Sequence, residues 1–208
     1  GPKNAAGRSR AAVWDQSDLG GTRVIAGGVS GGLWINNDIT DVGQVWTRVI
    51  GVPGNLAISV IVQDPNNTSV LYAGTGESYT GGDASGNGIY KSIDGGSNWN
   101  LVFGRGPSTT VTTTFSGSYT EVEGYFAVND IILYDHDNNA GTDAQVFAAI
   151  GTTWHSRSSL TGLDPFTYGL FKSADAGSTF TQITSVNNGT QVDEINDLEV
   201  QAISNRIW

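Results

Sequence analysis

The sequence predicts an all-β protein assembled from repeated four-stranded antiparallel units. Three observations predict it. One hairpin motif recurs three times, a pair of short apolar stretches precedes each copy, and the composition favours turns and strands over helices.

The composition comes first because it bounds the rest. Glycine supplies 29 of 208 residues, and charged residues make up 14% of the chain. An average soluble domain is about 25% charged. Methionine is absent, Lys and Glu are scarce, and Gly, Ser, Thr and Asn are abundant. Short strands joined by tight turns need that mixture.

The hairpin motif reads Gly, aliphatic, aromatic, any residue, Ser or Asn, any residue, Asp. Its copies are Gly32-Leu33-Trp34-Ile35-Asn36-Asn37-Asp38, Gly88-Ile89-Tyr90-Lys91-Ser92-Ile93-Asp94 and Gly169-Leu170-Phe171-Lys172-Ser173-Ala174-Asp175. The second continues through Gly95-Gly96 to Trp99 and the third through Ala176-Gly177 to Phe180. The first is looser and reaches its aromatic at Trp46. Before each copy lie an apolar stretch, a polar turn and a second apolar stretch. In the second unit this gives strands A, B, C and D at 57–62, 70–74, 88–92 and 99–103. Four strands every ~40–60 residues is the spacing of a β-propeller blade. The units fall at about 10–52, 56–104 and 128–184, and Asn196-Asp197-Leu198-Glu199-Val200 opens a fourth over 195–208. The expectation is an incomplete propeller of three to three-and-a-half blades whose parent chain continues past 208, because a blade needs neighbours to bury its faces.

The motif has a physical reading. Gly95-Gly96 supplies the positive φ values of a tight turn. The Asp94 carboxylate accepts hydrogen bonds from turn N–H groups, and Trp99 packs over the turn. Asp38, Asp94, Gly96, Trp99, Asp175, Gly177 and Phe180 are therefore expected to hold C–D turns and to carry no catalysis.

With its Gly-x-[Thr/Asn]-Trp continuation, the motif resembles the Asp-box, or BNR repeat, of sialidases, sortilin-type receptors, xyloglucanases and many bacterial surface proteins. The segment Gly1-Pro2-Lys3-Asn4-Ala5-Ala6-Gly7-Arg8-Ser9-Arg10-Ala11 is followed by Ala26-Gly27-Gly28-Val29-Ser30-Gly31-Gly32-Leu33-Trp34. With Asp64-Pro65-Asn66-Asn67-Thr68 and Tyr72-Ala73-Gly74-Thr75-Gly76-Glu77, it resembles the N-terminal blades of large proteins exported by the type IX secretion system of Bacteroidota. That resemblance implies a secreted or cell-surface protein, with outer-membrane type IX translocon components as partners and Gly1-Pro2 as native residues. It also implies a binding, adhesion or scaffold role. The wider family implies two alternatives: a polysaccharide hydrolase of the xyloglucanase or sialidase type completed by further blades, and a sortilin-like peptide receptor.

Charge excludes other classes. Ten basic against twenty acidic residues give −10, which argues against nucleic acid. There is no cysteine for disulfides or thiol chemistry, and no apolar run long enough to span a membrane as a helix.

Strand direction alternates, so A–B and C–D turns share one face of the disk. The long segments 75–87, 104–128 and 152–168 fall on the other face, where binding residues concentrate. Glu77, Asp83, Glu121, Glu123, Asp130 and Asp164 lie on or near it, and Glu77 and Asp130 are the catalytic candidates of a two-carboxylate glycosidase. The arginines are too scattered along the chain to assign to a site. Tyr79, Trp154 and Phe166 are candidate ligand-binding aromatics for stacking on sugars, or for pinning their own loops. Asp135, Asp137, Asn139 and Asp143 alternate as oxygen ligands do in calcium loops, although the spacing departs from the EF-hand and a polar turn fits as well. Calcium is the one cofactor the sequence raises. The Ser/Thr-rich run 108–118 fits either a flexible segment or additional β-structure.

Overall fold

The computed structural model describes residues 8–29, 31–54, 56–77, 86–104, 111–115, 118–122, 125–134, 144–151, 169–183, 185–186, 190–191, 195, 197–201 and 206–207. Among these every regular element is a strand. Blade one is β1 (Ser9–Trp14), β2 (Val24–Gly28), β3 (Gly32–Asn36) and β4 (Thr47–Arg48). Blade two is β5 (Ile58–Gln63), β6 (Leu71–Thr75), β7 (Gly86–Ser92) and β8 (Asn100–Gly104). The pair β9 (Val111–Phe115) and β10 (Ser118–Val122) follows, so the described residues of the Ser/Thr-rich run are strand. Blade three is β11 (Tyr125–Tyr134), β12 (Gln145–Gly151), β13 (Gly169–Ser173) and β14 (Thr181–Ile183). The short pairs β15 (Ser185–Val186) with β16 (Thr190–Gln191) and β17 (Val200–Gln201) with β18 (Arg206–Ile207) complete the strands.

Within each blade the strands pair antiparallel in the order A, B, C, D. A two-residue parallel bridge, Tyr125 to Gly86 and Phe126 to Asn87, joins the start of β11 to β7. The A strands approach one another, β1 against β5 and β5 against β11, so they are the inner strands. These are the radially stacked sheets of a β-propeller.

Stacking explains why both faces of a middle blade are apolar. Alternate residues of one strand point to opposite faces. In blade two Ile61, Leu71, Ala73, Tyr90 and Leu101 pack toward blade one, with Ile25, Leu33 and Ile35. Val60, Val62, Tyr72, Ile89 and Val102 pack toward blade three, with Val128, Ile131, Val146 and Phe171. On the far side of blade three, Phe147, Ala149 and Leu170 meet Leu198 and Ile195. Strand β6, between two such layers, is buried at every position.

Close approach of blades is set by glycine on the B strands. A Cβ on Gly27 would lie 2.4 Å from the Cβ of Ile58, and one on Gly74 would lie 2.7 Å from Cγ1 of Val128. Both glycines thus face an inner-strand residue of the next blade.

Each inner strand also carries a β-bulge at the same place. The extra residue is Arg10 in β1, Ser59 in β5 and Asn129 in β11. A bulge turns a side chain away from its normal face, and here each reaches forward to the next blade. The Ser59 hydroxyl donates to the carbonyl of Val128. Asn129 Nδ2 donates to the carbonyl of Ile195 at 2.9 Å. In the sequence, Val128 precedes Asn129-Asp130 as Ile195 precedes Asn196-Asp197, so the two acceptors are equivalent. Arg10 instead reaches Glu77.

Candidate functional site

The motif turns form one face. In the second copy the Ser92 hydroxyl donates to Asp94 Oδ1 at 2.9 Å and accepts the Gly96 N–H at 2.9 Å. Asp94 also accepts the Asn98 backbone N–H at 2.8 Å and its side-chain N–H at 2.7 Å. The third copy repeats this. Ser173 donates to Asp175 at 2.7 Å, Gly177 N–H donates to Ser173 at 2.8 Å, and Thr179 donates to Asp175 through its N–H at 2.8 Å and its hydroxyl at 2.6 Å. The Ser-x-Asp spacing thus builds a closed ring of hydrogen bonds around the turn.

The first copy differs because its sequence differs. Asp38 accepts from Thr40, through the N–H at 2.9 Å and the hydroxyl at 2.6 Å, and Asn36 stands where the other copies have serine. Trp46 is 44% exposed, whereas Trp99 is 4% exposed and donates Nε1–H to the Gly96 carbonyl at 2.8 Å. Phe180 takes the corresponding place in the third copy and stacks on Phe103 of blade two at 4.4 Å between centroids.

The turns also dock onto the preceding blade. Arg23 of blade one donates to the Gly95 carbonyl at 2.9 Å. Lys91 and the Tyr72 hydroxyl of blade two donate to the equivalent carbonyl of Ala176 at 2.6 and 2.7 Å. A Cβ on Gly96 would meet Ile25 Cδ1 at 2.9 Å, and one on Gly177 would meet Tyr72 Cε1 at 2.9 Å. The glycines therefore serve packing between blades as well as positive φ, which is +86° at Gly96 and +84° at Gly177. Ala176 adopts φ +52° where the second copy has Gly95 at +68°. A side chain in that region is strained by ~1 kcal/mol or more. Ala176→Gly is expected to stabilise the protein by about 0.5 kcal/mol, read as a small rise in midpoint during urea unfolding.

The Asp175 carboxyl is held down to about 2 by the Thr179 hydroxyl, the Ser173 hydroxyl and the Thr179 N–H. Asp94 and Asp38 are lowered as well, foremost by the side chains of Asn98 and Thr40. A carboxyl lowered on folding contributes stability above its unfolded value, here 3.8, and loses it as pH falls through the folded value. Stability measured from pH 5 to pH 2 is expected to fall less steeply in Asp175→Asn than in the parent.

The opposite face holds the two catalytic candidates. Glu77 lies just past β6 with its side chain fully buried. Arg8 Nη2 donates to both of its oxygens, at 2.9 and 2.7 Å, and Arg10 Nη1 donates to Oε1. Asp130 Oδ2 accepts the N–H of Leu198 at 2.9 Å and Oδ1 accepts the N–H of Ile131 at 2.8 Å. Burial pushes the Asp130 carboxyl up, against those hydrogen bonds. Asp197 repeats the local contact, its Oδ1 accepting from Leu198 N–H at 3.0 Å.

Among the described residues Glu77 and Asp130 have different partners and share no hydrogen bond. The structure does converge Arg8 and Arg10, which spacing alone left unassigned, on a carboxylate about 70 positions away in sequence. The backbone of Glu121 lies in β10. Tyr79, Asp83, Glu123, Trp154, Asp164 and Phe166, and the calcium candidates Asp135, Asp137, Asn139 and Asp143, lie outside the described residues.

No family model and no curated protein matches the chain. Among solved structures, the GH74 xyloglucanase from Xanthomonas campestris is similar over 84% of this chain, at 16% identity and a TM-score of 0.33. The chain spans 29% of that protein.

Proposed function

We propose that this chain is a binding or scaffold module of the Asp-box propeller type, displayed at the cell surface or secreted. One observation carries the reading: the carboxylates best placed for chemistry are employed in holding blades together. A general acid or a nucleophile must be reachable by its substrate. Glu77 is wholly buried with both oxygens hydrogen-bonded to arginine. Asp130 spends its oxygens on backbone N–H groups, one of them in the following segment. Every motif aspartate likewise closes a turn. What this construction offers is a stack of blades tied to one another, and the long segments of the sequence between strands are where binding residues concentrate.

The resemblance of the segments 1–34 and 64–77 to the leading blades of type IX secretion substrates supports export across the outer membrane. It makes the translocon a transient partner and a surface glycan or protein the ligand. The test is incubation of the intact protein with a panel of plant and algal glycans, assayed for new reducing ends and, in parallel, for retention on the same glycans immobilised. Retention without release is the expected result. Release of reducing ends from any of them would overturn the reading in favour of a hydrolase.

A further inference from the structure

We propose that the far face of blade three is a docking surface for the Asp-box turn of a further blade of this chain, and that Lys172 is the residue that takes hold of it. The contact is a charge-assisted hydrogen bond from the Lys172 ammonium to the carbonyl of the residue just after the turn's aspartate. It concerns how blades are joined and stands independently of what the protein binds.

The junctions of blade one with two and of blade two with three share one contact. In each, a cation of the earlier blade donates to the carbonyl of the residue just after the motif aspartate of the later blade. Arg23 donates to the Gly95 carbonyl at 2.9 Å, and Lys91 donates to the Ala176 carbonyl at 2.6 Å. An ionised donor makes the stronger hydrogen bond. The second junction adds an aromatic platform. The Lys91 ammonium lies 5.5 Å from the centroid of the Tyr72 ring, a cation–π contact. The turn's glycine, Gly177, is seated on the same ring, where a Cβ would come within 2.9 Å of Cε1.

Blade three carries the same pair at the same register. Tyr72 lies opposite Lys91 across β6 and β7, and Phe147 lies opposite Lys172 across β12 and β13. The Lys172 ammonium stands 5.4 Å from the centroid of the Phe147 ring, as Lys91 stands over Tyr72. The apolar part of this face is already engaged. Ile195 and Leu198 pack on it, and Asn129 and Asp130 bond their backbone groups. These two residues stand against blade three as Val128 and Ile131 stand against blade two. The inner strand of a next blade is therefore in place. Among the described residues, however, Lys172 has the Phe147 ring and no turn carbonyl.

The fit at the ring identifies the occupant. Two places after the motif aspartate stand Gly96 in the second copy and Gly177 in the third, and a Cβ on either would lie 2.9 Å from a side chain of the earlier blade. The first copy has Thr40 at that place. A second copy of this chain would have to offer its first turn, because the other two are docked on blades one and two. Thr40 would then strike the Phe147 ring where a glycine belongs. The occupant is thus a turn with glycine at that place, from the blade that Ile195 and Leu198 begin. Phe147 lacks the hydroxyl through which Tyr72 adds a second hydrogen bond to Ala176. Lys172 is the donor that this face retains.

The test is carbodiimide cross-linking of amines to carboxylates in the intact full-length protein, read by mass spectrometry, together with the rates at which its lysines are acylated. Lys91 is the internal standard. It should cross-link to Asp175, whose charge acts on it across the junction. Lys172 is expected to cross-link to the aspartate of a Ser-x-Asp-x-Gly segment outside residues 1–208 of the same molecule, and to be acylated about as slowly as Lys91. Lys172→Met should lower the melting temperature at least as far as Lys91→Met does, since Tyr72 still holds Ala176 in the latter. A cross-link from Lys172 to Asp38 of another copy would put a second copy in place of the further blade and overturn the proposal. So would the absence of any such link beside a formed Lys91–Asp175 link, acylation of Lys172 much faster than that of Lys91, or a melting temperature unmoved by Lys172→Met.

Discussion

Gly27→Ala is expected to destabilise the protein by about 3 kcal/mol, the upper range for overpacking. One methyl group is a small change, but its place is already taken. The added Cβ would stand 2.4 Å from both Cβ and Cγ2 of Ile58. Those atoms are fixed to backbone, so no rotamer change relieves the clash and blades one and two must separate. Separation would open the layer that holds Ile25, Leu33, Ile58, Leu71 and Trp99. Urea unfolding of the variant gives the loss directly. The double variant Gly27→Ala, Ile58→Gly identifies the cause, since it removes both overlapping atoms and contacting residues couple. Its loss should be smaller than the sum of the single losses; simple additivity would place the strain elsewhere.

Trp99→Ala is expected to cost about 3–5 kcal/mol, as large aromatic truncations in cores do. Trp99 is 4% exposed, belongs to the layer between blades one and two, and donates to the Gly96 carbonyl. Its loss removes packing between blades and a closure of the turn at once. Trp99→Phe keeps most of the ring and should cost about 1–2 kcal/mol, the value of an abandoned buried acceptor. Trp46→Ala is the control. Trp46 holds the aromatic place of the first copy but is 44% exposed, and its removal should change stability by less than about 0.5 kcal/mol. Equal losses from Trp46→Ala and Trp99→Ala would show that the motif aromatic acts within its own hairpin rather than between blades.

These two positions mark where sequence reading is strong and where it stops. The C–D turns were legible because their chemistry is local. Ser92, Asp94, Gly96 and Asn98 lie within seven residues of one another, and the ring of hydrogen bonds they form needs no other part of the chain. The strand pairs were legible for the same reason: alternation and turn residues set antiparallel neighbours. The carboxylates were legible as residues but not as roles. Glu77 and Asp130 stood out as acids on the loop-bearing face, and nothing near either one in sequence names its partners, Arg8 and Arg10 for the one and Leu198 for the other. The first copy misleads differently. Its Trp46 completes the pattern by type while remaining exposed.

By itself the sequence determined the strands, their pairing within a blade and the closed turns of the second and third copies, because those depend on contacts a few residues apart. The meeting of blades was decided only in three dimensions. The bulge that turns Arg10, Ser59 and Asn129 forward, the glycines that admit Ile58 and Val128, and the convergence of two arginines on Glu77 all join residues from different blades. Hydrogen bonds and packing act over a few ångströms. Residues some 70 positions apart acquire that distance only after the sheets have stacked.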